Sequence, residues 1–166
     1  MVASSANSKT FQVTTPSEKE IHFTRLFDAP RQLVFEVMTQ PEHIRQWWGQ
    51  LGEGYSVPVC EMDLRPGGKW RFVNRHPRGE AVFYGECLEI SPPERLVFTE
   101  IFAPFPDVVS VVTSVLSDEG GKTRFSSTVR YPSQEVRDMV RSTGMERGAA
   151  TSYDRLEDLL LRLQRS

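Results

Sequence analysis

Val59-Cys60-Glu61-Met62-Asp63-Leu64-Arg65-Pro66-Gly67-Gly68-Lys69-Trp70-Arg71-Phe72-Val73-Asn74-Arg75 sets the architecture of this chain. Cys60, Met62 and Leu64 alternate with Glu61, Asp63 and Arg65, the two-residue period of a strand with one apolar face. Pro66-Gly67-Gly68 supplies a turn, and Trp70, Phe72 and Asn74 then fall on one side of a second strand. Alternating runs joined by so few turn residues predict an antiparallel hairpin.

The pattern continues towards the C-terminus. Pro77-Arg78-Gly79 leads into a strand over 80–90, and Ser91-Pro92-Pro93-Glu94 into another over 95–102. A loop holding Pro104 and Pro106 precedes a strand over 108–116, and Asp118-Glu119-Gly120-Gly121 turns into a last one over 123–131. Five or six antiparallel strands in succession form a meander. Pro132-Ser133 opens a helical region that runs almost to the end, weakened in its first half by Gly144 and Gly148. Tyr153, Leu156, Leu159, Leu160 and Leu163 give its second half an amphipathic face.

Towards the N-terminus, residues 20–27 read as a strand with Ile21, Phe23, Arg25 and Phe27 on one side. Asp28 is expected to cap a helix whose first turn holds Pro30, and Leu33, Val34, Val37 and Met38 recur along it at helical spacing. Pro41 breaks that helix and opens a second over 42–48, ended by Gly49. Residues 11–15 suit either a short extra strand or a surface segment. A sheet with one apolar face must be covered, and the final helix is the only element long enough to do so. The expected fold is therefore α+β, a curved antiparallel sheet wrapped around the C-terminal helix, with two short helices after the first strand. Residues 1–17 read as a flexible extension and 18–166 as a single domain.

The totals fit one globular domain. A chain of 166 residues buries about 70 % of its unfolded surface, enough for a core without disulfide or metal staples. Twenty Lys and Arg face 22 Asp and Glu, and the two signs are interleaved, as along Glu135, Arg137, Asp138 and Arg141. That pattern lacks the basic stripe of a nucleic-acid binder. Cys60 and Cys87 sit inside apolar runs, outside any ligand-spaced pair, and read as reduced core thiols. Residues 1–10 lack the apolar segment of a secretory signal, and no run approaches the ~18 apolar residues of a membrane span. A cytoplasmic location is the expectation.

Six segments, in order, carry a family resemblance: Phe27-Asp28-Ala29-Pro30; Val34-Phe35; Pro41-Glu42-His43 with Trp47-Trp48-Gly49; Asp63-Leu64-Arg65-Pro66-Gly67-Gly68; Pro92-Pro93-Glu94-Arg95-Leu96-Val97-Phe98-Thr99-Glu100; and Gly144-Met145-Glu146-Arg147-Gly148. Over residues 20–163 the chain resembles bacterial proteins similar to the C-terminal domain of the activator of heat-shock protein 90 ATPase. These belong to the START-like, or SRPBCC, superfamily of helix-grip, Bet v-like folds. The resemblance implies that fold and a range of roles: co-chaperone-like domains, hydrophobic-ligand carriers, self-sacrifice resistance proteins and polyketide cyclases. Fold alone does not choose among them. The family commonly has a Trp after the Gly-Met-x-x-Gly motif, where this chain has Ala149 and Ala150. The resemblance thus implies more room, or another filler, at that point. The N-terminal domain of the eukaryotic activator has no counterpart in this sequence, which weighs against a full ATPase-activating role.

Candidate site residues follow from parity and from the fold. Trp70, Phe72, Met62, Phe83, Phe98, Phe125 and Tyr131 occupy alternating strand positions that can share the concave face, either lining a cavity or filling a core. Trp47 and Trp48 are adjacent on a short helix and point about 100° apart, so either one packs inside while the other edges a cavity mouth, or both anchor the helix pair on the sheet. Glu100 shares its strand parity with Leu96, Phe98 and Phe102, which leaves two readings: a carboxylate directed inward with them, or an edge or bulge position that keeps it wet. Tyr84 and Asn74 are further polar candidates, and Tyr153 a candidate from the final helix. The ligand-binding set is Trp47, Trp48, Met62, Trp70, Phe72, Tyr84, Phe98, Glu100 and Tyr153. His22, His43 and His76 show no metal-ligand spacing, and no nucleophile elbow, phosphate loop or dinucleotide fingerprint occurs, so no metal or cofactor is expected. The first reading is a non-catalytic module for a small hydrophobic or aromatic ligand. A chaperone-associated interaction protein and a polyketide cyclase- or hydrolase-like enzyme are the alternatives, with a homodimer left open.

Overall fold

Each alternating run of the sequence is a strand in the structure, a computed structural model that describes residues 10–165. Residues 1–9 of the expected extension lie outside the described residues. The strands are β1 (Gln12–Thr14), β2 (Glu20–Phe27), β3 (Ser56–Met62), β4 (Lys69–His76), β5 (Gly79–Ser91), β6 (Arg95–Phe102), β7 (Ser110–Glu119) and β8 (Lys122–Arg130). The helices are α1 (Arg31–Thr39), α2 (Pro41–Trp47), α3 (Gln134–Ser142) and α4 (Met145–Arg165).

All eight strands form one antiparallel sheet, in the order β1-β2-β8-β7-β6-β5-β4-β3. The meander β3 to β8 accounts for neighbours that are also consecutive in sequence. β2 then closes the order by pairing with β8, from Glu20 opposite Arg130 to Phe27 opposite Thr123. The sheet is open and curved, and its concave face receives α4 as the sequence predicts. Residues 12–14, left open between strand and surface segment, pair with β2. Phe11 beside them stacks on Phe23 at 5.8 Å.

Two details differ from expectation. Asp28 does not cap α1: the helix starts at Arg31, Pro30 is the extended residue before it, and no side chain satisfies its first amides. Asp28 therefore sits two residues before the cap position, out of reach of those amides. The expected C-terminal helical region is two helices. Thr143 ends α3, and Gly144 turns the chain at φ 83° before α4 begins. A positive φ costs glycine little, so the break falls there. Ser133 caps α3 by accepting from the Val136 amide at 3.2 Å.

Packing grades α4 from one end to the other. Leu156, Leu159 and Leu160 are buried against Phe27, Val34, Val37, Leu116 and Phe125, a dense core at the C-terminal end of the helix. The N-terminal end carries Gly148, Ala149, Ala150, Thr151 and Ser152, which project too little to fill the same gap. The space left over is the cavity.

Candidate functional site

A cavity of about 830 Å³ lies between the concave sheet face and the N-terminal half of α4, with α1, α2 and α3 completing its walls. Its lining is mainly apolar, and it draws on every strand from β2 to β8. Eight of the nine expected ligand-binding residues face it: Trp47, Trp48, Met62, Trp70, Phe72, Phe98, Glu100 and Tyr153. Tyr84 does not. It lies on the outer face of β5 beside Glu61, Lys69 and Arg71, because the two-residue alternation that turns Phe83 inward turns Tyr84 out.

The two tryptophans both line the cavity and both pack against the core, in different ways. Trp47, the last residue of α2, is buried, and its indole N–H donates to the Val37 carbonyl at 3.1 Å, tying the two short helices together. Trp48 leaves the helix with an extended backbone, and its ring packs edge-on against Phe72 and Phe83 at 5.1 and 5.6 Å. Trp70 lies edge-on to Phe98 at 5.5 Å, and its indole N–H donates to the Thr99 carbonyl at 2.9 Å. That bond crosses over Gly85, where a Cβ would collide with the Thr99 oxygen and stand 2.7 Å from the indole nitrogen. A glycine at 85 thus fixes one wall. Asn74 lines the cavity, but its amide is engaged elsewhere, donating to the carbonyls of Gly49 and Ser56 at 3.0 and 3.4 Å. It clamps the segment after α2.

Polar groups gather at one end. Glu100 pairs across the ladder with Ser110, and the neighbouring position on the next strand leads to Tyr131. Tyr153 on α4 contributes a second phenol opposite. Burial pushes the Glu100 carboxyl up to about 7, and burial, aided by the Glu100 charge, raises the hydroxyls of Tyr131 and Tyr153 above the ordinary tyrosine range. Among the described residues Glu100 makes no ion pair and no side-chain hydrogen bond. Ser114 and Ser127 form a second, smaller polar spot, 3.5 Å apart.

Ser110, Ser114, Ser127, Ala149 and the α3 residues Val136, Met139 and Val140 are lining residues outside the expected set. On β7, Ser110, Val112, Ser114 and Leu116 alternate with Val111, Thr113 and Val115. Both sets are equally apolar, so parity could not choose the inner one. For α3 the signal was present: Val136, Met139 and Val140 recur at i, i+3, i+4 on an otherwise charged helix.

Residues 28–161 match the family described as "Activator of Hsp90 ATPase homolog 1-like protein". The chain belongs to this family. Solved structures similar to this family member include several bacterial proteins. A Rhodobacter sphaeroides protein superposes with a TM-score of 0.84 at 25 % identity, covering 92 % of this chain and 99 % of its own. A Mycobacterium smegmatis protein gives 0.80 at 25 %, covering 90 % and 95 %. One from Nitrosomonas europaea gives 0.79 at 25 %, covering 90 % and 99 %. No curated protein matches the sequence significantly.

The thiols are not part of the site. Cys60 and Cys87 are free and buried, and burial pushes Cys60 up to about 11 and Cys87 in the same direction, away from the reactive thiolate. Among the described residues no group of three or more His, Cys, Asp and Glu is placed to hold a metal ion. Nor is any described helix long and apolar enough to cross a membrane.

Proposed function

We propose that this chain is a binding module for a small, largely apolar molecule held between the sheet and α4. The observation that carries the reading is the cavity itself. At about 830 Å³ it falls in the range of small-molecule sites, roughly 300–1,000 Å³, and like them it joins aromatic walls to a few convergent polar groups. Trp48, Trp70, Phe72 and Phe98 would supply contact area, and Glu100, Tyr131 and Tyr153 would orient the ligand. A cytoplasmic location goes with this proposal.

The test is a thermal-shift screen of the purified chain against flavonoids, fatty acids, polyketide-like aromatics and steroids, followed by tryptophan fluorescence. A ligand at 100 times its Kd stabilises the fold by about 2.7 kcal/mol, and three tryptophans on the cavity wall report its arrival. No shift and no fluorescence change from any class would overturn the reading. A second reading, action on a heat-shock ATPase, is favoured by the family match and by the exposed Phe102, Phe105 and Met139 at the edge of the cavity. Stimulation of purified heat-shock protein 90 ATPase by the chain would support it. Catalysis would rest on the Glu100, Tyr131 and Tyr153 group, with a carboxyl poised for proton transfer near neutral pH, and turnover of any ligand found would reveal it.

A further inference from the structure

We propose that the molecule held in this cavity carries a protonated amine, seated on the Glu100 carboxylate with its hydrocarbon body against the aromatic walls. The inference rests on the ligand-binding reading above.

Glu100 projects into a mainly apolar cavity with no cation beside it. Among the described residues, Glu94 and Arg95 are the other charged side chains of the cavity lining. From β2, Arg25 is held by Asp154 at 2.7 Å. At the rim, Arg95 pairs with Glu89 at 3.1 Å and Glu94 with Arg31 at 3.3 Å. On α3, Arg137 pairs with Asp138 and Arg141 with Glu146, while the face towards the cavity is Val136, Met139 and Val140. From α1 and α2 the lining is Phe35, Met38, Thr39, Ile44 and Trp47. What remains near Glu100 is neutral: Ser110, Tyr131 and Tyr153.

A half-buried carboxylate facing an apolar cavity is costly unless a cation or several donors meet it. Here the protein offers hydroxyls and no cation, so the missing charge has to come from solvent as a proton or from the ligand. An ammonium group donates in three directions, which suits the Glu100 carboxylate, the Ser110 hydroxyl and a phenol oxygen together. Trp70 and Phe98 line the same cavity, and aromatic rings attract a cation. A neutral ligand leaves the carboxylate unpaired, and an anionic one opposes it.

Burial sets the pH window. Because the Glu100 carboxyl is raised to about 7, it holds a proton below that pH and is charged above it. The preference for a cation therefore appears as pH rises through about 7 and persists until the amine itself deprotonates.

Three probes of one shape separate the outcomes: naphthylmethylamine, naphthalenemethanol and naphthoate, titrated into the full chain by calorimetry. At about pH 8 the amine is expected to bind about tenfold or more tightly than the alcohol, with the advantage lost near pH 5.5. Glu100→Gln should abolish the advantage, bringing the amine down to the affinity of the alcohol in the same variant. Should that variant fail to fold, the pH dependence in the unaltered chain decides. Equal affinity for amine and alcohol, or tightest binding of naphthoate, overturns the amine proposal and leaves the cavity reading intact. Failure of all three to bind overturns both.

Discussion

Ala149 occupies the cavity-facing side of α4, packed near Ile21, Phe23 and Val112. A Trp there, as the family resemblance implies for other members, would project into the space a ligand needs. Ala149→Trp is therefore expected to keep the fold and lose ligand binding by tenfold or more, roughly the cost of displacing one ring-sized contact. Calorimetry with the best hit from the screen reads the loss, and far-UV circular dichroism checks the fold. Undiminished affinity would place the ligand elsewhere. Single residues were legible where parity was unambiguous: Trp70, Phe72 and Phe98 all face inward as their alternation requires, whereas Glu100, open in the sequence between an inward and a wet edge position, is placed by the fold in the cavity lining. Tyr84 was not, because a tyrosine suits either face and the adjacent Phe83 took the inner one. Nor was the engagement of Asn74, whose partners Gly49 and Ser56 are brought to it only by the folded loop.

At the level of elements, the apolar packing of α4 explains its hold on the sheet only in part. Arg25 on β2 is fully buried beneath it, bonded to Asp154 at 2.7 Å, with its guanidinium 5.4 Å from the Phe27 ring centre. Glu157, one turn further along, is also fully buried, and Arg25 lowers a carboxyl that burial otherwise raises. Among the described residues, the Arg25 Nε and Nη2 atoms have no hydrogen-bond partner. The cluster thus depends on charge compensation more than on satisfied bonds. Arg25→Met should cost about 3–5 kcal/mol in urea unfolding, since it strands the buried Glu157 carboxylate. Adding Glu157→Met should recover much of that loss, because a buried pair can be replaced by apolar side chains with little net effect. A double variant as unstable as the single one would show that Asp154, not Glu157, is the carboxylate that matters. The strands and helices themselves were readable because turn residues punctuate them. The Arg25 cluster was not, since the inward parity of Arg25 does not reveal which helix residues it meets.

For the whole molecule, the order of elements determined which face of the sheet needed cover and which helix could supply it. The ligand chemistry stayed hidden because Glu100, Ser110, Tyr131 and Tyr153 come from separate segments that only the curved sheet and α4 bring together. Their meeting has a consequence for stability as a function of pH. The Glu100 carboxyl is raised from 4.5 to about 7, so between these values the folded chain keeps a proton that the unfolded chain releases. Stability from this group is therefore fully present below 4.5 and is lost as pH rises through about 7, by at most about 3 kcal/mol. Glu157 is raised as well and acts in the same direction. The melting temperature of the ligand-free chain should thus fall between about pH 5 and pH 8, and Glu100→Gln should flatten that fall while leaving the Glu157 part. Bound naphthylmethylamine should flatten it too, by supplying at high pH the charge that the proton supplies at low pH. If the unaltered chain and Glu100→Gln show the same slope, water reaches Glu100 freely and the polar end of the cavity is an open one.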